Sequence, residues 1–173
     1  MFSCANPFDT RNVETPDNNP TYQLPSTPAA LLNNITEAFE KRDEVLYNNT
    51  FQDSLSTDFI FYFIGDADNF QFLGYWTLSR ELEHFSLIVK SFDELNLTFG
   101  AQFVEDYGDS ILVHIPYEIK TVKDLKNQYF RGEVLFKMKY YLSYLIIYGW
   151  EDFNNSSTVG DSTWTRLKRS SFN

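Results

Sequence analysis

Two histidines, His84 and His114, and one cysteine, Cys4, are all the imidazole and thiol in this chain. An imidazole–thiolate metal centre cannot be built from so few ligands, and the sequence predicts neither a metal nor any other cofactor. General acid–base chemistry needs an ionisable group aimed into a pocket, within hydrogen-bond reach of the proton it moves. The period-two pattern puts His114 and Glu133 on the strand faces opposite the apolar register, which argues against a catalytic role for either. His84 falls in a helical stretch beside Phe85, at its flank. Asp66 and Asp68, taken with Glu105 and Asp106, suggest calcium. However, Gly65-Asp66-Ala67-Asp68-Asn69 lacks the bidentate acid that closes a calcium loop and reads as a solvated turn. The 7 glycines are scattered and form neither a phosphate loop nor a nucleophile elbow.

The tyrosines are chemically more suggestive. Tyr62, Tyr117, Tyr144 and Tyr148 lie in or beside strands, and Trp76 and Trp150 stand where a mouth could be rimmed. A phenol offers a large apolar face with one polar tip, which suits a pocket for a flat or amphipathic small molecule. Tyr62, Trp76, Tyr117, Tyr144 and Tyr148 are therefore the expected ligand-binding set; an aromatic-rich core is the alternative. Cys4 bears on location instead. It follows the small residue Ser3, as a lipoprotein cleavage site requires, and could carry a diacylglycerol anchor; an ordinary free thiol is the other reading.

These residues must be held by a domain. The composition, 43% hydrophobic and 18% aromatic with 17 Phe and 11 Tyr, is rich enough for a self-sufficient core. The net charge of −10 and the lack of a basic stripe argue against nucleic acid as a partner. No apolar run reaches the roughly 18 residues that span a bilayer, so contact with a membrane is expected through the lipid anchor only. Pro7, Pro16, Pro20 and Pro25 among Asn, Asp and Thr mark residues 1–26 as a flexible tether. Residues 27–173 form one domain.

Within that domain Thr27-Pro28 reads as an N-cap with proline at the first helical position. Leu31, Leu32, Ile35, Ala38 and Phe39 then predict a helix over Pro28–Lys41. A short helix is predicted from Glu44 to Phe51, burying Val45, Leu46 and Phe51. A strand follows over Phe59 to Ile64, then a third helix from about Thr77 to Lys90 with Leu78, Leu82, Phe85 and Val89 on its apolar stripe. Four long strands complete the pattern: Leu95 to Phe103, Ile111 to Lys120 with Pro116 as a bulge or edge position, Phe130 to Met138, and about Leu142 to Glu151. A short amphipathic end contains Trp164 and Leu167. Segregated helices and strands predict an α+β fold, with helices on one face of a curved, mainly antiparallel sheet.

This order of elements resembles the cone-shaped fold of nuclear transport factor two, polyketide cyclases and ketosteroid isomerases. Cys4 followed by Pro7-Phe8-Asp9-Thr10-Arg11 and Glu14 is similar to the start of a group of bacterial lipoproteins with this fold. Thr27-Pro28 with Leu32, Asn34 and Ala38, then Tyr47, Phe59 and Phe61, extends the likeness. So do Arg131-Gly132, Ile147 to Trp150 with Asp152, and Trp164-Thr165-Arg166-Leu167-Lys168. The resemblance implies the nuclear transport factor two-like cone and a lipid-anchored place in the bacterial cell envelope, periplasmic or surface, and it implies no reaction. Catalysts on this fold resemble one another in holding a carboxylate or histidine inside the cavity beside a tyrosine or acid. The expected function is non-enzymatic binding of a small hydrophobic ligand or a protein partner. A cofactor-free isomerase, cyclase or dehydratase and a structural homodimer module are the alternatives.

Overall fold

A computed structural model describes residues 24–51, 62–64, 77–154 and 163–170. Helix α1 (Pro28–Lys41) begins where the sequence places it, with Thr27 Oγ1 accepting the Ala30 N–H and proline in the first turn. It ends at Arg42, which takes the left-handed conformation (φ 56°) and turns the chain into α2 (Glu44–Asn49). Asp43 Oδ1 caps α2 by accepting from Val45 and Leu46 N–H, each at 2.9 Å. The guanidinium of Arg42 then reaches the carbonyl of Val89 in the last turn of α3 (Leu78–Ser91). A cation there complements the negative end of the helix dipole and ties the three helices together.

The sheet has strands β1 (Tyr62–Ile64), β2 (Glu94–Phe99), β3 (Phe103–Asp106), β4 (Ser110–Lys123), β5 (Lys126–Tyr141) and β6 (Tyr144–Phe153). Their order is β1-β6-β5-β4-β2, with β3 also paired to β4. Only β1, which lies parallel to β6, departs from the antiparallel scheme. Ile111, Val113, Ile115, Tyr117 and Ile119 of β4 are buried, as are Phe130, Val134, Phe136 and Met138 of β5. Against this face pack Leu31, Ile35, Phe39, Tyr47, Phe85 and Ile88 from the helices. His114 and Glu133 are exposed on the other face, as the alternation implies.

Several expectations are corrected. The strand expected over Leu95 to Phe103 breaks at Gly100–Gln102, so that Ala101 and Phe103 are exposed. Gly100 N–H donates to the carbonyl of Pro116 at 2.8 Å. A residue's N–H and C=O point to the same side of a strand, so the amide that proline lacks would have faced this interruption. Pro116 thus sits inside β4 where only one neighbouring ladder needs it. Val45 is exposed rather than buried, and Tyr47 takes the inward place on α2. Pro25, expected ahead of the domain, is buried and its carbonyl accepts the Leu145 N–H at 2.6 Å, so residue 25 packs against the sheet. The Ile147 N–H bonds to Thr50 O two residues further on, which covers the outer edge of β6 before β1 begins to pair with it. Phe59 to Phe61 and residues 1–23 lie outside the described residues.

The β4–β5 hairpin turns on Asp124 (φ 50°) and Leu125 (φ 63°), the pair of left-handed conformations of a two-residue turn. Leucine is poorly suited there, and Leu125 is 97% exposed, so no packing offsets the strain. Leu125→Gly is expected to raise the unfolding free energy by about 0.5–1 kcal/mol, the left-handed strain of about 1–2 kcal/mol less the extra backbone entropy of glycine. A urea midpoint that falls instead would reveal a contact of Leu125 that this turn geometry does not show.

Candidate functional site

Seven polar side chains converge inside the fold, beneath the short C-terminal helix α4 (Trp164–Ser170). The first group surrounds Glu81, on the inward face of α3 and fully buried. Its Oε1 accepts the Tyr47 hydroxyl at 2.9 Å, and its Oε2 accepts the ammonium of Lys168 at 2.6 Å. Lys168 is itself fully buried, and its Nζ lies 4.0 Å from the centroid of the Trp150 ring and 5.6 Å from that of Trp164. A carboxylate on one side and an aromatic face on the other is the usual way to keep a cation inside a protein.

The second group surrounds Asp152 on β6. Tyr117 donates to Oδ1 at 2.6 Å, while Oδ2 accepts from the Thr165 N–H at 2.7 Å and from the Thr165 hydroxyl. Tyr117 in turn accepts the Trp164 N–H at 2.6 Å. Two of the unsatisfied amides that open α4 are therefore capped by side chains of the sheet. The register shows what allows this. Tyr117 stands opposite Gly132, where an added Cβ would lie 2.7 Å from the Tyr117 hydroxyl and 2.6 Å from the Phe153 carbonyl. Only glycine leaves room for the ring to lie across β5 and reach Asp152.

Burial pushes the Asp152 carboxyl up, opposed by the hydrogen bonds from Thr165 and Tyr117 and by the charge of Lys168. Burial likewise raises the Tyr47 phenol well above its usual range, helped by the negative charge of Glu81. Lys168 is pulled down to about 8 by burial, against the pull of Glu81 and Asp152.

His84, expected at the flank of α3, is 2% exposed and packs inward beside Lys168. Burial, then the charges of Lys168 and Arg80, lower it to about 3, against a hydrogen bond with the Lys168 backbone. The unfolded chain takes up this proton near pH 6.5 and the folded chain only near pH 3, so stability is full above pH 6.5 and falls as pH drops through that window. From pH 7 to pH 5 the loss is expected to be about 1 kcal/mol, half the value for an unscreened shift. His84→Gln should remove that slope from urea midpoints measured at each pH; an unchanged slope would place the acid sensitivity in other groups.

Of the five aromatic residues expected to line one pocket, Tyr62, Tyr117, Tyr144 and Tyr148 are among the described residues. Tyr117 is in the Asp152 group. Tyr144 opens β6 beside Tyr141, with ring centroids 5.6 Å apart, and Tyr148 sits half-buried at the irregularity of the β5–β6 ladder. Tyr117 pairs with Gly132 and Tyr144 with Tyr141, and the stretch of β5 between those partners spans roughly 30 Å. The register therefore places Tyr144 at the β5–β6 turn and Tyr117 near the middle of β4. Tyr62 lies in β1, and Trp76 lies outside the described residues, as do Asp66, Asp68 and Cys4. Among the described residues no group of three or more His, Cys, Asp or Glu could hold a metal ion. No described helix is long and apolar enough to cross a membrane.

Glu81, His84, Lys168 and Asp152 were missed as interior residues because each interrupts an apolar stripe. The signal for Lys168 was present in the sequence. Trp164, Leu167 and Lys168 share one helical face, and Leu167 and Trp164 demand burial.

Helices packed on one face of a mainly antiparallel sheet are the arrangement expected of the cone. Solved structures carry the same arrangement. A protein of unknown function from Mycobacterium tuberculosis superposes with a TM-score of 0.62 at 10% identity, over 83% of this chain and 82% of its own. A candidate dehydratase of the nuclear transport factor two-like family from Streptomyces avermitilis gives 0.59 at 11% identity, over 73% and 92%. A nuclear transport factor two-like protein from Salmonella enterica serovar Typhimurium gives 0.59 at 16% identity, over 76% and 92%. The fold is the nuclear transport factor two-like cone. No protein-family model and no curated protein sequence matches the chain. At these identities the likeness is one of architecture; among the described residues, α4 is bonded to the interior polar groups.

Proposed function

We propose that this chain is a non-enzymatic binding domain of the bacterial cell envelope, held by a lipid on Cys4 and taking a small hydrophobic molecule into its cone. The observation that carries the non-enzymatic part is the state of the two interior acids among the described residues. Both oxygens of Glu81 and both of Asp152 are engaged by the chain's own donors. A general base needs a lone pair directed at its substrate. The aromatic character of the interior, where Phe39, Tyr47, Phe85, Phe136, Trp150 and Trp164 are fully or almost fully buried, supports an apolar ligand over a polar one.

Expression of the full natural reading frame in a bacterial host tests both parts. The wild type is expected in the membrane fraction, and Cys4→Ser in the soluble fraction, because a thioether-linked diacylglycerol supplies the buried methylenes that hold a domain on a bilayer. Native mass spectrometry of the purified protein should show a small apolar molecule leaving with the folded chain. Equal partition of the two proteins would end the anchor. An empty protein that also takes up no apolar probe would end the ligand.

A cofactor-free isomerase, cyclase or dehydratase is the second reading. The Asp152–Tyr117 pair favours it, since an acid with a raised pKa beside a phenol is the pairing such chemistry uses. That reading requires α4 to leave, because Thr165 occupies the acid.

A further inference from the structure

Lys168 occupies its place as a ligand would. Its ammonium meets Glu81 Oε2 at 2.6 Å and the face of Trp150 at 4.0 Å, and the Tyr47 hydroxyl fixes the other oxygen of Glu81 at 2.9 Å. Tyr47, Glu81 and Trp150 belong to α2, α3 and β6, so this carboxylate and this aromatic face are built without α4. We propose that Glu81, Tyr47 and Trp150 form a cation site of the cone, that Lys168 is its built-in occupant, and that the ligand is an amphipathic primary ammonium which takes the place of Lys168.

The inference rests on the ligand-binding reading above and names the ligand's chemistry. A carboxylate paired with an indole face selects for an organic cation over a neutral molecule or an anion. The aromatic side chains beside the site that do not belong to α4, Phe51 and Phe136 against Trp150, would receive the ligand's apolar body. Two features of α4 make it a replaceable occupant. It is 7 residues long, too short to hold helical structure on its own. Its Trp164 is 1% exposed, yet the indole Nε1 has no hydrogen-bond partner among the described residues, so seating the helix strands a buried donor there. An incoming ammonium with an apolar body would meet the same carboxylate, and the departure of α4 would return the Trp164 indole to water.

The full chain is titrated with n-hexylammonium and, in parallel, with n-hexanol, following uptake by calorimetry and α4 by amide hydrogen exchange. Saturable uptake of hexylammonium at least tenfold tighter than hexanol is expected, with faster exchange of the Trp164 to Lys168 amides at saturation. Glu81→Gln should weaken hexylammonium at least tenfold and leave hexanol unchanged. Trp150→Phe, which keeps an apolar ring with a weaker cation–π face, should weaken it severalfold and serves if Glu81→Gln does not fold. Equal uptake of the two probes would overturn the cation site and leave the hydrophobic-ligand reading standing. Uptake of neither overturns both. Hexylammonium binding with α4 protection unchanged would overturn the replacement of Lys168.

Discussion

Trp150→Ala is expected to leave the domain largely unfolded, or to lower its unfolding free energy by about 3–5 kcal/mol if it folds. That is a large share of the ~5–15 kcal/mol that holds a domain together. Trp150 is fully buried, with Phe51, Phe136 and Trp164 packed at centroid distances of 5.7, 5.3 and 4.7 Å and the Lys168 ammonium over its face. Truncation would open a cavity between β6, β5 and α4 and take away the aromatic support of a buried cation. Urea denaturation followed by far-ultraviolet circular dichroism measures the change. A loss below about 1 kcal/mol would mean that neighbouring side chains collapse into the space, and that Trp150 is not the anchor of the closing strand.

Lys168→Met is expected to cost about 3–5 kcal/mol, because it removes the counter-ion of Glu81 and leaves a carboxylate buried with only the Tyr47 hydroxyl to serve it. The double change Glu81→Gln with Lys168→Met should recover at least about half of that loss, since two neutral groups of similar shape carry no stranded charge. Both partners are essentially inaccessible to water, at 0% and 1% side-chain exposure, so screening by salt should matter little. The surface pair Arg131–Glu118, at 47% and 42% exposure, provides the contrast; Arg131→Met should cost no more than about 1 kcal/mol. If Lys168→Met and the double variant were equally unstable, the loss would come from packing of the lysine stem and not from charge.

Much of this architecture follows from local chemistry written in the sequence. Thr27-Pro28 starts α1 because a hydroxyl can cap an open helix end and proline needs no amide there. Ile111 to Ile119 and Phe130 to Met138 alternate because strands send successive side chains to opposite faces, and that alone fixes which side of β4 and β5 faces the helices. The apolar run of β6 marks it as covered, and it is flanked by β5 on one edge and by β1, Thr50 and Pro25 on the other.

The interior polar cluster could not be read in the same way. Hydropathy assigns Leu78 and Leu82 to the buried stripe of α3, yet they are only partly buried while Glu81 and His84 lie beneath. The helix is turned toward its polar residues because Tyr47, 34 residues earlier, and Lys168, 87 residues later, supply the partners that make burial of Glu81 tolerable. The same holds for Asp152, whose donors come from β4 and α4. Sequence by itself determined the elements, the buried face of the sheet and the fold class, because these depend on periodicities within one segment. Tertiary structure decided which charges lie inside and which partners they meet, because a buried charge is stable only when distant segments bring its partners to within a hydrogen bond.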